Sequence, residues 1–441
     1  MALLLVMAPG GLRAADLSPE EASGKRTFNL RECLEKTLEY SREMLIADQG
    51  RKISQGRYLE ERAAALPLVK TEISAVHTRD ESLKGMTIPV EKNEYQASLS
   101  LNQPIFTWGQ ITAAIDAAKY DKEASEHQYR EARQLALREA ATSFYNLLLT
   151  IDLEKVARDN MAQKRRHLDE TTRKHQMEVA TDYDVLAARV ALTNAGPTLT
   201  RAENDIRLAK DRLAYYMGVE GDFEVAGTLT CSLRPSEPLK EVLDRAKANR
   251  PEVAFYENET GVFKELLTVA KGGNKPRVDL KGNIGWGSFE RIDNTFPGQH
   301  WDAGLFLTFP LFDGFRTEGR VIQAKSRLAT TEFQMKKLLD TIALDAREAI
   351  NRVDESVQIV KALEATSTQA ERLLAMAESG FRNGVKTKLE VDDAELNLLT
   401  AHSNLARARS EYLVARTKLL WIMGEDLKTT LANAECRPIS R

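Results

Sequence analysis

The chain is written twice, and this constrains its fold more than any other feature. LRECLEKTLEYSRE (30–43) aligns with LKEVLDRAKANRPE (239–252) at an offset of 209 residues. The same offset brings Pro67 of ALPLVKTEISA onto Pro276 of NKPRVDLKGNI. Farther along the offset is 206: LNQPIFTWG (101–109) meets TFPLFDGF (308–315), and YYMGVE (215–220) meets WIMGED (421–426). The difference of three residues is absorbed between the prolines. Each copy runs in one order: a helical stretch (30–65 or 239–271), two short alternating segments, a very long helical stretch, and a returning helix that ends at Met-Gly. A duplication of this length predicts two equivalent structural units. Residues 219–236, which contain Gly and Pro, read as an irregular linker between them.

From Gln110 to Ala195 there is neither Gly nor Pro, and from Thr317 to Ser379 only Gly319 interrupts. Ala, Leu, Glu, Lys and Arg dominate, and these are good helix formers. Helices of this length point to coiled-coil or tubular packing. Small residues recur in ITAAIDAAKY (111–120) and SNLARARSEYLVA (403–415), a composition that lets helices approach closely. Turns are expected near 177–182 and 383–388. Gly384 can terminate one helix in a left-handed conformation. Thr387 can cap the next, and Thr181 or Asp182 does so in the first copy. Residues 110–176 then span about 100 Å. The helices at 30–65 and 182–217 are each about half as long, so they can stack end to end beside it. Gly196-Pro197 inside the first return helix predicts a kink or a break, because proline removes a hydrogen bond and clashes with the preceding turn.

VKTEISAVH (69–77), YQASLSLNQ (95–103), RVDLKGNIGW (277–286) and WDAGLFLTF (301–309) alternate apolar with polar residues. The expected strands cover about 68–79, 95–104, 276–286 and 301–309. Val278, Leu280 and Ile284 share one face; Arg277, Asp279, Lys281 and Asn283 share the other. Ala303, Leu305, Leu307 and Phe309 lie together on the last strand. The aromatics Phe106, Trp108, Trp286, Trp301, Phe312 and Phe315 stand near strand ends, where a membrane-interface girdle would sit; packing in a soluble core would place them similarly. No stretch reaches 18 continuous apolar residues, so a transmembrane helix is not expected. A membrane barrel remains open, but four strands cannot close one, since about eight is the usual minimum. A lipid-embedded sheet tolerates no open edge. The membrane reading therefore requires several chains, and three would supply twelve strands.

Bulk properties exclude other classes. With apolar residues at 43% and charged residues at 29%, the chain is not disordered. A net charge of −3 suggests no nucleic-acid partner. Cys33, Cys231 and Cys436 are far apart and odd in number, which suggests neither a zinc site nor a disulfide framework. Residues 1–15, with an apolar run ending near Ala14 and Ala15, read as a residual signal peptide, with no cysteine there to carry a lipid. There is no phosphate-binding loop, dinucleotide fingerprint, HExxH or CxxC, and the six histidines show no ligand spacing. No catalytic residue, cofactor or metal is expected.

Taken together, QPIFTWG (103–109), FPLFDGFR (309–316) and GFRNGVKTKLEVDDAEL (380–396), in duplicated order over about residues 28–426, resemble the TolC-like outer-membrane efflux and secretion channels. The resemblance implies a mainly α fold with a small membrane β-barrel: an internally duplicated α-helical coiled-coil barrel with four strands per chain, closed as a 12-stranded barrel in a homotrimer. The repeats would be 28–218 and 237–426, followed by a C-terminal tail at 427–441. It further implies contact with outer-membrane lipid, a helical tunnel across the periplasm, and tips that dock a periplasmic adaptor and an inner-membrane pump. The channel would conduct passively, in drug or metal efflux or in type I protein secretion. Family members close the periplasmic end with tip hydrogen bonds, salt links and rings of acidic side chains. By this carry-over, Phe381 takes the tip aromatic position, where it lacks the hydroxyl of a tyrosine, and Lys386 takes a basic latch position. Glu390 and Asp393 match the acidic selectivity positions, with Asp184 opposite Glu390 in the first copy. Gly384, Thr387 and Thr181 would shape the tip contacts. Carboxylates converging on an axis repel one another and raise each other's pKa values. A soluble or periplasmic coiled-coil adaptor or scaffold is the rival reading; it explains the helices and leaves the paired strands unexplained.

Overall fold

The computed structural model describes residues 26–79, 91–291 and 294–433. The expected signal segment lies outside the described residues. In chain order the elements are β1 (Arg26–Phe28), α1 (Leu30–Tyr40), α2 (Arg42–Ala63), β2 (Leu68–Arg79), β3 (Glu91–Phe106), α3 (Gln110–Gln176), α4 (Asp182–Met217) and β4 (Phe223–Val225). The second copy follows with α5 (Leu239–Asn249), α6 (Pro251–Lys271), β5 (Arg277–Arg291), β6 (Asn294–Thr308), α7 (Arg316–Arg382), α8 (Lys388–Ile422) and α9 (Leu427–Asn433). The long helices α3 and α7 are both 67 residues and start and stop 206 residues apart.

The described strands form a parallel pair, β1–β4, and a four-stranded antiparallel sheet in the order β2-β3-β5-β6. The β3–β5 ladder joins the two copies, with Leu99 opposite Ile284 and Ala97 opposite Trp286. Among the described residues, both outer strands, β2 and β6, leave one edge unpaired. Three strands run farther than their alternation predicts. The ladder carries on through polar positions such as His77 opposite Asn93, because backbone pairing continues where the apolar pattern has faded.

The helices pack as the length argument requires. α2 lies along the first half of α3, tied by Arg51 to Glu126 at 3.1 Å and Arg57 to Asp121 at 3.6 Å. α4 lies along the other half, while α6 and α8 pack on both α3 and α7. α1 buries Leu30, Cys33, Leu34 and Thr37, one face at helical spacing, and Asn29 and Glu32 close its N-terminus with reciprocal 2.9 Å bonds. The main core sits mid-length. Leu137, Phe144 and Leu148 of α3 meet Val353 of α7, Leu413 and Ile422 of α8, Leu34 of α1, Val242 of α5 and Leu427 of α9. Toward the helical tips the seam narrows to small residues such as Ala377 and Ala394 around Val391.

Several expectations need correction. Each of the two shorter helical stretches is two helices, broken at Ser41 (φ −61°, ψ 132°) and at Arg250 (φ −68°, ψ 124°). Pro251 explains the second break, since it biases the preceding residue to an extended conformation. The first break meets the end of α4 instead. Gly218 (φ +64°) closes that helix, and a Cβ built there would stand 2.9 Å from the Tyr40 carbonyl oxygen. The second copy repeats the joint: a Cβ on Gly424 (φ +70°) would come within 2.7 Å of the Asn249 carbonyl carbon. The duplicated Met-Gly words are therefore close-approach joints between a helix end and a chain elbow.

α4 runs unbroken through Pro197. Proline costs one hydrogen bond there, but Thr193 and Pro197 are exposed, so water can satisfy the freed carbonyl. The linker carries β4, and the tail opens with α9, whose Leu427 and Leu431 are buried. Cys231 is disulfide-bonded, which overturns the cysteine reading, since pairing follows proximity in space rather than spacing along the chain. Cys33 is free and buried, and burial pushes its thiol up to about 12.

Candidate functional site

Two regions have geometry that packing alone does not explain: the four-stranded sheet and the hairpin tips. In the sheet, directly opposed residues share a face. One face reads Val69–Leu101–Gly282–Ala303, Thr71–Leu99–Ile284–Trp301 and Ile73–Ala97–Trp286–Gln299, with Leu280–Leu305 and Val278–Leu307 nearer the helices. The opposite face reads Lys70–Ser100–Asn283–Asp302 and Glu72–Ser98–Gly285–His300. Among the described residues nothing covers the apolar face: Ile73 is 79% exposed, Leu305 70% and Leu307 69%. A soluble half-buried sheet would cover this face and wet the other.

The aromatic candidates fall at two levels. Phe106 and Trp108 stack edge to face at 5.1 Å, and Phe312 and Phe315 at 5.7 Å, both pairs at the strand-to-helix junctions. Trp286 and Trp301 stand on the apolar face farther out. Phe106 is opposite Val278, eight residues before Trp286, so the levels lie about 26 Å apart along the strand. A tilt of about 40° reduces that to about 20 Å. At both junctions two successive residues are left-handed, Trp108–Gly109 (φ 51° and 78°) and Gly314–Phe315 (φ 67° and 63°). They correspond at the 206 offset although the glycine has changed places.

At the tips, Thr181 and Thr387 each cap a helix. The Asp184 N–H donates to Thr181 Oγ1 at 3.2 Å, and the Thr181 N–H donates back to the Asp184 carboxylate at 2.9 Å. Glu390 and Thr387 repeat this at 3.3 and 2.8 Å. Lys386 Nζ also donates to Glu390 at 2.6 Å. Within a single chain Glu390 is therefore a capped and ion-paired carboxylate. Lys386 and the cap N–H hold its pKa down to about 2, and the Thr181 backbone lowers Asp184 likewise. Lys386 therefore bonds within its own cap and reaches no other hairpin of the chain. Gly384 (φ +72°) forms the turn with nothing within 4 Å of an added Cβ. Asp393 is exposed one turn along α8 and makes none of the ion pairs among the described residues. Phe381 packs against the small seam of Ala377, Val391 and Ala394, and the Lys174 ammonium lies 5.3 Å from its ring centre, so the two tips touch there.

Sequence reading missed the charges that join α3 to α8 above the tips. Glu395, only 9% exposed, pairs with Lys164 and accepts a hydrogen bond from Gln163 at 2.8 Å. Asp392 accepts from Lys388 at 2.7 Å and lies 3.8 Å from Lys164. The signal was present, because Glu395 follows Val391 and Ala394 on the buried side of α8 at helical spacing. A carboxylate on an apolar stripe calls for a partner.

Among the described residues no cluster of three or more His, Cys, Asp or Glu stands ready to hold a metal, and no helix is long and apolar enough to cross a membrane.

The model of the outer membrane efflux protein family matches residues 33–219 and 242–425. Outer membrane protein TolC of Escherichia coli (strain K12) is 23% identical over 370 residues, covering 80% of this chain and 74% of that protein. Alkaline protease secretion protein AprF of Pseudomonas aeruginosa is 25% identical over 362 residues, covering 77% and 73%. Among solved structures, the Campylobacter jejuni CmeC outer membrane channel superposes with a TM-score of 0.79 at 17% identity, covering 98% of this chain and 97% of that one.

Proposed function

The chain belongs to the outer membrane efflux protein family, and from this we propose how its residues build and gate the channel. It is an outer-membrane exit channel of a tripartite efflux or secretion system, working with a periplasmic adaptor and an inner-membrane pump, and it catalyses no reaction of its own. One observation carries the reading: a sheet with an uncovered apolar face and two open edges crowns helices about 100 Å long. An edge cannot stay open in lipid. Pairing β6 of one copy with β2 of the next closes it, and three copies give a 12-stranded barrel. The repeats, residues 28–218 and 237–426, then supply alternate sectors of the tube. The apolar face meets lipid and the Lys70–Asp302 and Glu72–His300 rows line the lumen. Trp286 and Trp301 mark one membrane interface, and Phe106, Trp108, Phe312 and Phe315 the other.

At the far end the tips around Thr181, Phe381, Gly384 and Thr387 meet the adaptor, and Asp393 forms an acidic ring. Glu390, held in its cap, contributes less free charge, and Lys386 offsets it. The relatives' names point to different cargo, as in AprF's protease secretion, and the partner pump selects what passes. The test is purification in detergent with crosslinking, then planar-bilayer recording. Trimers that conduct, with cation selectivity reduced in Asp393→Ala more than in Glu390→Ala, support the reading. A soluble monomer without conductance refutes the channel, and unchanged selectivity in both variants refutes the gate.

A further inference from the structure

We propose that the buried Lys164–Glu395 pair is the clamp that sets the aperture at the helical end, by holding the second-copy hairpin, α7–α8, to α3 of the same chain. This names a regulator of the channel proposed above and rests on that reading.

The side-chain hydrogen bonds at the tips stay within each hairpin. The side chains of Lys386, Thr387 and Glu390 bond within one cap. Thr181 and Asp184 do the same in the first copy. Among the described residues, the tip-level contact between hairpins that involves a charge is the Lys174 ammonium over the Phe381 ring at 5.3 Å. About 10 Å up α8 the situation changes. Glu395 is buried, its carboxylate is shared between Lys164 and Gln163 of α3, and Asp392 stands 3.8 Å from the same ammonium. The His167 imidazole lies among Lys388, Asp392, Glu395 and Glu170, and burial lowers its pKa. It adds no charge to the cluster at neutral pH.

The duplication shows that this contact is not a repeat-wide feature. At the 206 offset, Lys164 corresponds to Ala370, His167 to Leu373, Asp392 to Leu186 and Glu395 to Arg189. In a tube of alternating copies, the junction equivalent to α3–α8 is α7 of one chain against α4 of the next. Ala370 and Arg189 cannot form the pair there. This pair therefore belongs to the junction within each chain alone, and through it α7–α8 takes its position from its own α3. Asp393 sits two residues from Glu395, and its distance from the pore axis follows that position.

A buried pair that loses one partner leaves an uncompensated charge in the seam. In Glu395→Gln the Lys164 ammonium keeps only Asp392, 3.8 Å away and more exposed, and its shift toward that carboxylate loosens α8 on α3. Lys164→Met strands the carboxylate. Charge reversal, Lys164→Glu with Glu395→Lys, restores the pair. Spin labels at the exposed Val179→Cys and Val385→Cys, in trimers diluted with unlabelled chains, report the distance between hairpins. Cys33 takes no label, being buried with a thiol pushed up to about 12, and Cys231 is bonded. The expected result is a label distribution at least twice as broad in each single variant, a two-fold or greater change in single-channel conductance, and recovery of both in the reversal. Distances and conductance unchanged in folded single variants overturn the clamp. If the single variants do not fold, Gln163→Ala, which removes one hydrogen bond and keeps the pair, must still broaden the distribution; no broadening overturns the clamp. If the unaltered chain never conducts, the channel reading fails, while the label distances still report on the hairpin contact.

Discussion

Gly424→Ala is the substitution whose cost can be worked most directly from the coordinates. Gly424 ends the α8 segment with φ +70°, and the elbow of the α5–α6 break runs over it. An added Cβ would meet the Asn249 carbonyl carbon at 2.7 Å and the Arg250 nitrogen at 2.8 Å. Both are backbone atoms, so no side chain can swing aside. Left-handed backbone costs an alanine about 1–2 kcal/mol. Forcing a methyl into a packed contact adds about 1–3 kcal/mol, for a total of about 2–5 kcal/mol. Gly384→Ala is the internal control. Its φ of +72° is nearly the same, but nothing lies within 4 Å, so only the conformational part applies. Gly218→Ala, pressed at 2.9 Å against the Tyr40 backbone, should fall with Gly424→Ala. The assay is loss of helical circular dichroism on heating of detergent-purified protein, all variants at one scan rate because unfolding of such assemblies is commonly irreversible. Gly424→Ala and Gly218→Ala should melt clearly below Gly384→Ala. Equal melting of all three would refute the claim that the Met-Gly words are close-approach joints.

Further outcomes can be tested with the same preparation. Thr387→Ala removes a cap and should destabilise the tip by about 1 kcal/mol, read as faster amide exchange in the first turn of α8, with the core around Leu137 and Leu413 unaffected. Glu390 has its pKa depressed to about 2 from an ordinary value near 4.5, so its cap contribution is complete above about 4.5 and is lost as pH falls toward 2. A spin label at Val385→Cys should therefore gain mobility across that interval, and that gain should vanish in Glu390→Gln. Pro197→Ala restores a hydrogen bond in an already continuous helix and should stabilise α4 by up to about 3 kcal/mol, with conductance unchanged; a lower melting point would show that the proline is needed for the curve of the tube. Leu305→Arg on the apolar face should cost about 2–4 kcal/mol at mid-bilayer depth, seen as reduced trimer yield in outer-membrane fractions, whereas Asn283→Arg on the polar face should assemble normally.

The sequence by itself determined the elements and their pairing into copies. Freedom from Gly and Pro made α3 a helix, Gly109 and the cap at Thr181 bounded it, and strict alternation placed Val278, Leu280, Leu305 and Leu307 on one face. Thr181 and Thr387 were legible as caps because a cap is local chemistry. Resemblance located the tip, but the bonds within it were not legible there: Lys386 and Glu390 are bonded to each other in the cap, because a residue three places into a helix folds back onto its own cap. Tertiary structure alone decided the rest. The break at Ser41 lacks the proline that marks its counterpart at Pro251, and what meets it is the end of α4 more than 170 residues away, through Gly218. The Lys164–Glu395 contact joins α3 to α8 across the copies, and offset alignment within the repeat hides it because neither residue is conserved between them. Local interactions repeat wherever the words repeat. Contacts between distant segments depend on which surfaces the fold brings together, and there the two copies have come to differ.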